Sequence, residues 1–407
     1  MSFKNSKLLR SMFSDMSAKT TQERKPMTLA QAFSPDILFQ SFQELRKPVN
    51  FKGSIQTYAL NAFKQILKFT KDFKNGTFKF SKGTEFDIHE RGKKRHIVAT
   101  TVADRVPIHS FCQNVLIPSI RPHLIYDNGA SLRGKGTDFS RKRLRVHLWK
   151  YYCRYKTNQG YILQGDFSKF FDNIDHQKLI EMLSPILDED SIKFLCHTLK
   201  IFEKSLPYED YIRYQHQPFS SLDYYQNRTT GPFVLKRGVD IGNEISQACG
   251  IFFPTRLDNF IKIVKSCKFY GRYMDDFYII HPDKNFLKNL LNNIVKLSSE
   301  LGLYLNLKKT HIAPLNKPFT FLKVRYILSP TGKITMSLHK SNFVRERIKI
   351  KKLNRILNRE DLRAQYRSWR GGILREISTK QPTHYHNHKS LTTSDRFFQT
   401  LMENKND

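Results

Sequence analysis

The spacing of apolar residues changes several times along the chain, and each change predicts an element. In TLAQAFSPDILFQSFQEL the apolar positions recur at helical spacing, which marks a partly helical segment within residues 1–50. Around 76–100, GTFKFSKGTEFDIHERGKKRHIVATT alternates apolar and polar residues on either side of ERGKKR, predicting a β-hairpin with Lys94 and Arg95 at a cationic tip. ADRVPIHSFCQNVLIPSIRPHL reads as helix and is followed by a glycine-rich basic loop, DNGASLRGKGTDFSRKR. GYILQGDFSKFFDNIDHQKLIEMLSPIL reads as a short buried strand ending at Asp166, a turn, and a helix capped by Asp175. Residues 200–237 are aromatic and polar and give no assignment. GNEISQACGIFFPTRLDNFIKIVK predicts a loop entering a helix, and KFYGRYMDDFYIIH (268–281) a second hairpin. A helix over 286–301, strands within 303–338 and a cationic helical region over 340–370 complete the pattern. No internal repeat or low-complexity tract interrupts it. The order of elements predicts an α+β core flanked by basic material.

Charge sharpens this picture. The 407 residues carry 69 Lys and Arg against 36 Asp and Glu, a formal net charge of +33. Such an excess repels itself unless a polyanion lies against it, so nucleic acid is the expected partner. No amphipathic anchor or long apolar segment supports a membrane role. The five cysteines are scattered and lack CxxC spacing, which predicts free thiols in a reducing compartment and no zinc site. The N-terminus lacks an apolar core of signal-peptide length, so a cytoplasmic protein is expected.

The second hairpin poses the chemical question. Its tip, Met274-Asp275-Asp276, holds two adjacent carboxylates and no glycine, which makes it a poor turn on structural grounds. Divalent metal would supply the missing counter-charge, because Mg²⁺ binds through one or two carboxylates plus substrate phosphates. A further acid at a strand end should complete such a site, and Asp166 meets that requirement, with Asp275 as the direct ligand and Asp276 as supporting charge. Asp172 and Asp175 read as turn and cap residues.

With these acids in place, the pattern resembles the palm of a reverse transcriptase. YMDD at 273–276 is similar to the family's YxDD box, and QGDFSKFFDNIDH to its first aspartate motif in the bacterial, group II intron-like form. RGKKRHIV with ADRVPIHSFCQNVLIP, DNGASLRGKGT, GVDIGNEISQACGIFF, LGLYLNLKKT and FTFL follow in family order over about 76–330. The resemblance implies a right-hand polymerase: an N-terminal basic extension (1–50), fingers (51–150), a palm of antiparallel sheet and helices (151–335), and a helical thumb with tail (336–407). It implies Asp166, Asp275 and Asp276 as the metal triad for two Mg²⁺ ions, or Mn²⁺ in their place. Lys309 would neutralise or protonate the leaving pyrophosphate. Lys94, Arg95, Phe167, Gly242 and Gln247 would line the nucleotide, and Phe171 would be the steric gate against a ribose 2′-hydroxyl. Arg133 and Lys135, with Arg345, Lys349, Lys351 and Lys352 on the thumb, would hold nucleic acid.

One departure stands out. Many relatives carry Pro-Gln-Gly before the helix where this chain has DIGNEISQ, with Ile241 in place of the glutamine. That variant resembles diversity-generating retroelement enzymes and the "unknown group" enzymes linked to phage defence. The expected activity is RNA-directed DNA synthesis from deoxynucleoside triphosphates, on a dedicated non-coding RNA template in antiviral defence. The alternatives are a diversity-generating or retron-type enzyme, template-independent DNA synthesis, an RNA-dependent RNA polymerase, or an RNA-binding protein with an inactive polymerase fold. His384, His386 and His388 lie in a polar tail without a metal-binding neighbour, SLTTSDRFFQTLM reads as a docking helix, and Trp369 as a helix-end core contact.

Overall fold

The computed structural model describes residues 25–81, 83–90, 93–216, 231–377 and 385–403. A capping box between Thr28 and Gln31 starts the short helix Leu29–Ala32, and Pro35 opens the helix Pro35–Arg46. Leu29, Ala32, Phe33, Leu38 and Phe42 all bury into the main core. From residue 29 onward this segment is core material, although its composition reads as a basic extension. Strands β1 (Thr84–Glu90) and β2 (Lys93–Ala99) then form the first hairpin, paired from Thr84↔Ala99 to Glu90↔Lys93. Pairing continues so far that only residues 91 and 92 remain between the strands. Lys94 and Arg95 are therefore not at the tip, as the sequence reading had them, but within β2 opposite His89 and Ile88.

Strand β3 (Tyr161–Asp166) follows the long helix Thr137–Tyr155. The unassigned stretch after residue 200 supplies β4 (Lys204–Leu206), the helix Tyr208–His216 and β5 (Phe233–Leu235), closed on a small core of Leu206, Tyr214 and Leu235. Helices Glu244–Phe252 and Thr255–Asn259 precede β6 (Tyr270–Tyr273) and β7 (Asp276–His281). After the helix Lys284–Leu301 come β8 (His311–Pro314), β9 (Phe319–Phe321), β10 (Val324–Leu328) and β11 (Ile334–Leu338).

The central sheet has the order β6-β7-β3-β8 and is antiparallel throughout. Side chains alternate across it. Leu163, Phe277 and Ile279 enter the main core with the N-terminal helices. Ile162, Tyr278 and Ile280 enter a second core with Leu144, Leu148, Tyr151, Phe321, Tyr326 and Phe343. Burial on both faces is why β7 holds the unbroken apolar run of residues 277–280 and β3 opens with the apolar run of residues 161–163. Each such side chain withdrawn from water contributes about 1.5–3 kcal/mol, so the sheet is a firm mount for whatever its ends carry.

The cationic region after 340 is two helices rather than one, Lys340–Leu353 and Arg359–Ile377. The break has a local cause: the Asn358 side chain accepts from the Asp361 amide at 2.8 Å and caps the second helix. Helix Tyr385–Glu403 docks on both, with Tyr366 stacked on Phe398 and Arg370 paired to Asp395 at 2.7 Å. Trp369 packs against Phe343 and Tyr366 as a core contact. His384 and the side chains of His386 and His388 lie outside what the structure describes. All five cysteines are free, and among the described residues no helix is long and apolar enough to cross a membrane. The architecture is α+β, a right-hand polymerase fold with mixed helices around an antiparallel sheet.

Candidate active site

Asp166 is the last residue of β3 and Asp276 the first of β7, and the two are cross-strand partners. On the other side of β7, Tyr273 pairs with Asp276, leaving Met274 and Asp275 as a two-residue turn. Asp276 thus begins the strand instead of sharing the tip. Met274 has φ 54°, a left-handed value at the first central position, where hairpin turns of this length favour glycine. The turn is tied down from outside: Arg272 Nη1 donates to Met274 O at 3.1 Å, and the Phe167 amide to Asp275 O at 3.4 Å.

Lys309 completes the cluster. The loop after Leu303 runs alongside β3, where the Asn306 amide donates to Asp166 O at 2.7 Å and the Ser168 amide to Tyr304 O at 2.7 Å. From there Lys309 Nζ reaches Asp166 Oδ2 at 2.5 Å, and Asn306 Nδ2 lies 3.5 Å from the same oxygen. Burial, then the charges of Asp275 and Asp166, pushes the Asp276 carboxyl up to about 7. Burial, then Asp166, pushes Asp275 up to about 6. The hydrogen bond to Asp166 raises Lys309, which also bears on both other aspartates. A cavity of about 170 Å³ opens here, lined by Asp166, Asp276, Lys309 and His311 among others.

One buried carboxylate, Asp166, and two half-buried ones, Asp275 and Asp276, against one ammonium leave negative charge unmet. Among the described residues no three acid, histidine or cysteine side chains form a ready-made metal cage. Mg²⁺ does not require one, because it takes one or two carboxylates and completes its shell with water and substrate phosphate. The donor set therefore fits a divalent ion that shares its ligands with a nucleotide.

The other expected residues divide. Phe171 is half-buried and sits edge-to-face on Phe170 at 5.2 Å. Its ring lies against Gly250, where a Cβ would come within 2.9 Å of Phe171 Cε1. Phe167 is 2 % exposed and its ring packs between Phe170 and Phe277, so only its main chain can border a nucleotide. Gly242 is exposed with φ 114°, and Gln247, also exposed, accepts from Ser131 Oγ at 3.0 Å. Lys135 turns inward: Nζ donates to Tyr126 O and Asn128 O, both at 2.8 Å, and burial with Arg121 nearby lowers it to about 8. It braces its own loop, so Arg133, which is exposed, is the cation that loop presents to solvent. Arg345, Lys349, Lys351 and Lys352 are exposed on a helix remote from the cluster in sequence, with Lys349 3.7 Å from Glu346.

Residues that the sequence reading passed over hold the site together. Asn243 is buried, donates to Val98 O at 3.1 Å and accepts from Thr100 Oγ1 at 3.1 Å. Glu244 meets His109 Nδ1 and Gln113 Nε2, each at 2.5 Å. Asn243 and Glu244 thus tie this loop to the base of the first hairpin and to the helical segment 102–116 that follows it. Arg272 and Asp258 form an ion pair with both side chains fully buried. The signal for it was available, since strand periodicity puts Arg272 on the face of buried Tyr270.

Residues 82–326, well over half of the chain, match the family model described as reverse transcriptase (RNA-dependent DNA polymerase). The chain belongs to the reverse transcriptase family. The matched span contains all three aspartates and Lys309. Among solved structures, this reverse transcriptase is similar to apo telomerase from Candida tropicalis truncated from its C-terminal domain, at 15 % identity over 68 % of this chain and 60 % of that one, TM-score 0.43. Apo telomerase from Candida tropicalis gives 15 % identity over 69 % and 53 %, TM-score 0.45. Telomerase from Candida albicans in complex with a fragment of telomeric RNA gives 14 % over 85 % and 66 %, TM-score 0.42. The chain thus spans less than two thirds of the length of each. No curated protein matches it in sequence.

Proposed function

We propose that this chain is an RNA-directed DNA polymerase that adds deoxynucleotides to a primer 3′-hydroxyl. The observation that carries this reading is the cross-strand pairing of Asp166 with Asp276, which gathers three carboxylates and Lys309 at one end of a rigid sheet. In the reaction the 3′-oxygen bonds to the α-phosphorus of the incoming nucleotide, its proton passes to solvent, and the α–β bridging bond breaks to release pyrophosphate. Asp166, Asp275 and Asp276 would hold two Mg²⁺ ions, or Mn²⁺ in their place, which when bound neutralise the attacking and leaving oxygens. The protein's own part is positioning and charge. Lys309, already beside the cluster, supplies an ammonium to the leaving pyrophosphate. Phe171 crowds the sugar where a 2′-hydroxyl would sit.

The wider assignments extend this reading. The first hairpin belongs to fingers (51–150), the aspartate sheet to a palm (151–335), and the cationic helices to a thumb (336–407) that tracks the duplex backbone. The loop at Ile241-Gly242-Asn243 is similar to that of bacterial defence-linked and diversity-generating enzymes. This resemblance alone supports a cytoplasmic enzyme that copies a dedicated non-coding RNA against phage.

Asp275→Ala tests the core of the reading. With an RNA template and DNA primer, extension should vanish while RNA binding persists; retained extension overturns the assignment. Sequencing the nucleic acid that co-purifies tests the template. A discrete RNA with complementary DNA supports the dedicated template, and homopolymer or random DNA favours untemplated synthesis.

A further inference from the structure

Arg272 stands two residues before the aspartate turn and is 1 % exposed. A buried ion pair is weak as a source of stability, because desolvation of both charges offsets their attraction, and apolar side chains of like volume often serve as well. What apolar side chains cannot do is hold several separate groups at fixed angles. A planar guanidinium can.

Its bonds run to three places. Nε donates to Asp258 Oδ1 at 2.9 Å and Nη2 to Asp258 Oδ2 at 2.7 Å, while Tyr270 Oη donates to Asp258 Oδ1 at 2.5 Å. Nη2 also donates to Ile251 O at 2.8 Å, an oxygen that accepts from Asn128 Nδ2 at 3.1 Å as well. Nη1 donates to Met274 O. The main chain of Arg272 is fixed too, its amide to Asp127 O at 3.1 Å and its carbonyl to the Gly129 amide at 2.9 Å. Met274 belongs to the turn that carries Asp275. Ile251 directly follows Gly250, the glycine against which the Phe171 ring lies. One side chain therefore spans from the aspartate turn to the helix that backs Phe171.

We infer that Arg272 is a positioning residue that sets the spacing between the aspartates and the wall behind Phe171, and thereby the discrimination between deoxy- and ribonucleotides. This rests on the reading of the aspartates as the reaction centre and Phe171 as the sugar gate. A gate of this kind works by steric contact, and a displacement of about 1 Å in reacting geometry costs on the order of a hundredfold in rate. Asp258 acts through Arg272 by fixing the plane of the fork.

Two variants test it. Arg272→Lys keeps a charge opposite Asp258 but loses the fork that reaches both carbonyls. Arg272→Met combined with Asp258→Leu removes the pair and leaves no uncompensated buried charge. Melting temperature and RNA binding report folding, and if the double variant does not fold, Arg272→Lys carries the test. On one primer–template, the ratio of kcat/KM for a deoxynucleotide to that for its ribonucleotide should fall about tenfold, a change of about 1.4 kcal/mol in differential transition-state binding. In a Phe171→Val background the same substitutions should lower the ratio little further. A ratio that stays constant while both rates fall, or vanish, together overturns the proposal and leaves the arginine a packing residue. Phe171→Val with an unchanged ratio sinks the gate reading and the proposal with it, whereas a ratio lowered by Phe171→Val but not by the Arg272 variants sinks the proposal alone.

Discussion

Asp166 and Asp276 face each other across one antiparallel step, so a strand end and a strand start place their carboxylates on a single patch. Burial and mutual repulsion raise both Asp275 and Asp276 above the ordinary carboxylate range, to about 6 and about 7. A carboxyl with a raised folded pKa costs nothing while it is protonated. Its cost begins above the unfolded value of about 4 and is complete once pH passes the folded value. In metal-free protein, Asp276→Asn should therefore raise stability at about pH 8 by about 1–2 kcal/mol, a few degrees in Tm, and leave it unchanged near pH 4. The same variant should lose DNA synthesis. Thermal denaturation in chelator at both pH values checks this; a gain independent of pH would show that repulsion is not its source.

Gly250 leaves room for the Phe171 ring. An alanine Cβ would stand 2.9 Å from Phe171 Cε1 and 3.3 Å from Phe170 Cε1, so the rings must give. Overpacking of this sort costs about 1–3 kcal/mol and moves side chains off their rotamers. Gly250→Ala should raise the KM for deoxynucleotides about tenfold, and adding Phe171→Val should restore it by removing ring volume. Steady-state kinetics of the two single variants and the double decide the matter, since additive losses would place the ring elsewhere in the working enzyme.

Asn243 bridges the loop before the helix Glu244–Phe252 to the base of the first hairpin. Alanine there leaves Val98 O and the Thr100 hydroxyl without this partner in a buried setting, at about 1–3 kcal/mol. The hairpin should seat less firmly over the nucleotide. KM is expected to rise while kcat at saturation changes less than twofold or so. A fall confined to kcat would argue that the clamp serves the chemical step instead.

The exposed cations of the helix Lys340–Leu353 should make duplex binding steeply salt-dependent. Each phosphate contact contributes about 0.9 to the slope of log affinity against log salt. Replacing Arg345, Lys349, Lys351 and Lys352 together by alanine should flatten that slope by about three units, with Lys349 contributing least because Glu346 shares its charge. Binding titrations across salt concentrations, on two unrelated sequences, measure it. An unchanged slope assigns the grip to other basic residues.

What could be read from the sequence follows from how local the cause was. Asp166 was visible because it is the lone acid at the end of the short strand that opens with Tyr161, Ile162 and Leu163, and the aspartate turn because it lacks the glycine that its geometry favours. The inward direction of the Phe167 ring was legible too: strand periodicity sends adjacent side chains to opposite faces, so a neighbour of Asp166 points its ring away. Lys135 could not be read this way. Its direction depends on a loop turned by Gly134 (φ 78°) and Gly136 (φ 156°), which brings it onto carbonyls nine and seven residues back. The role of Arg272 was hidden for a different reason, since its partners come from two helices and a turn that meet only in the folded chain.

The sheet that carries the aspartates has no idle face. Leu163 and Ile279 press on one core and Ile162 and Tyr278 on the other, and the second core also takes in Phe343 from the cationic helix Lys340–Leu353. The surface that would hold the finished duplex and the acids that would extend it are thus bolted through the same plate. Any displacement of that helix therefore reaches the aspartate sheet as load on a shared support.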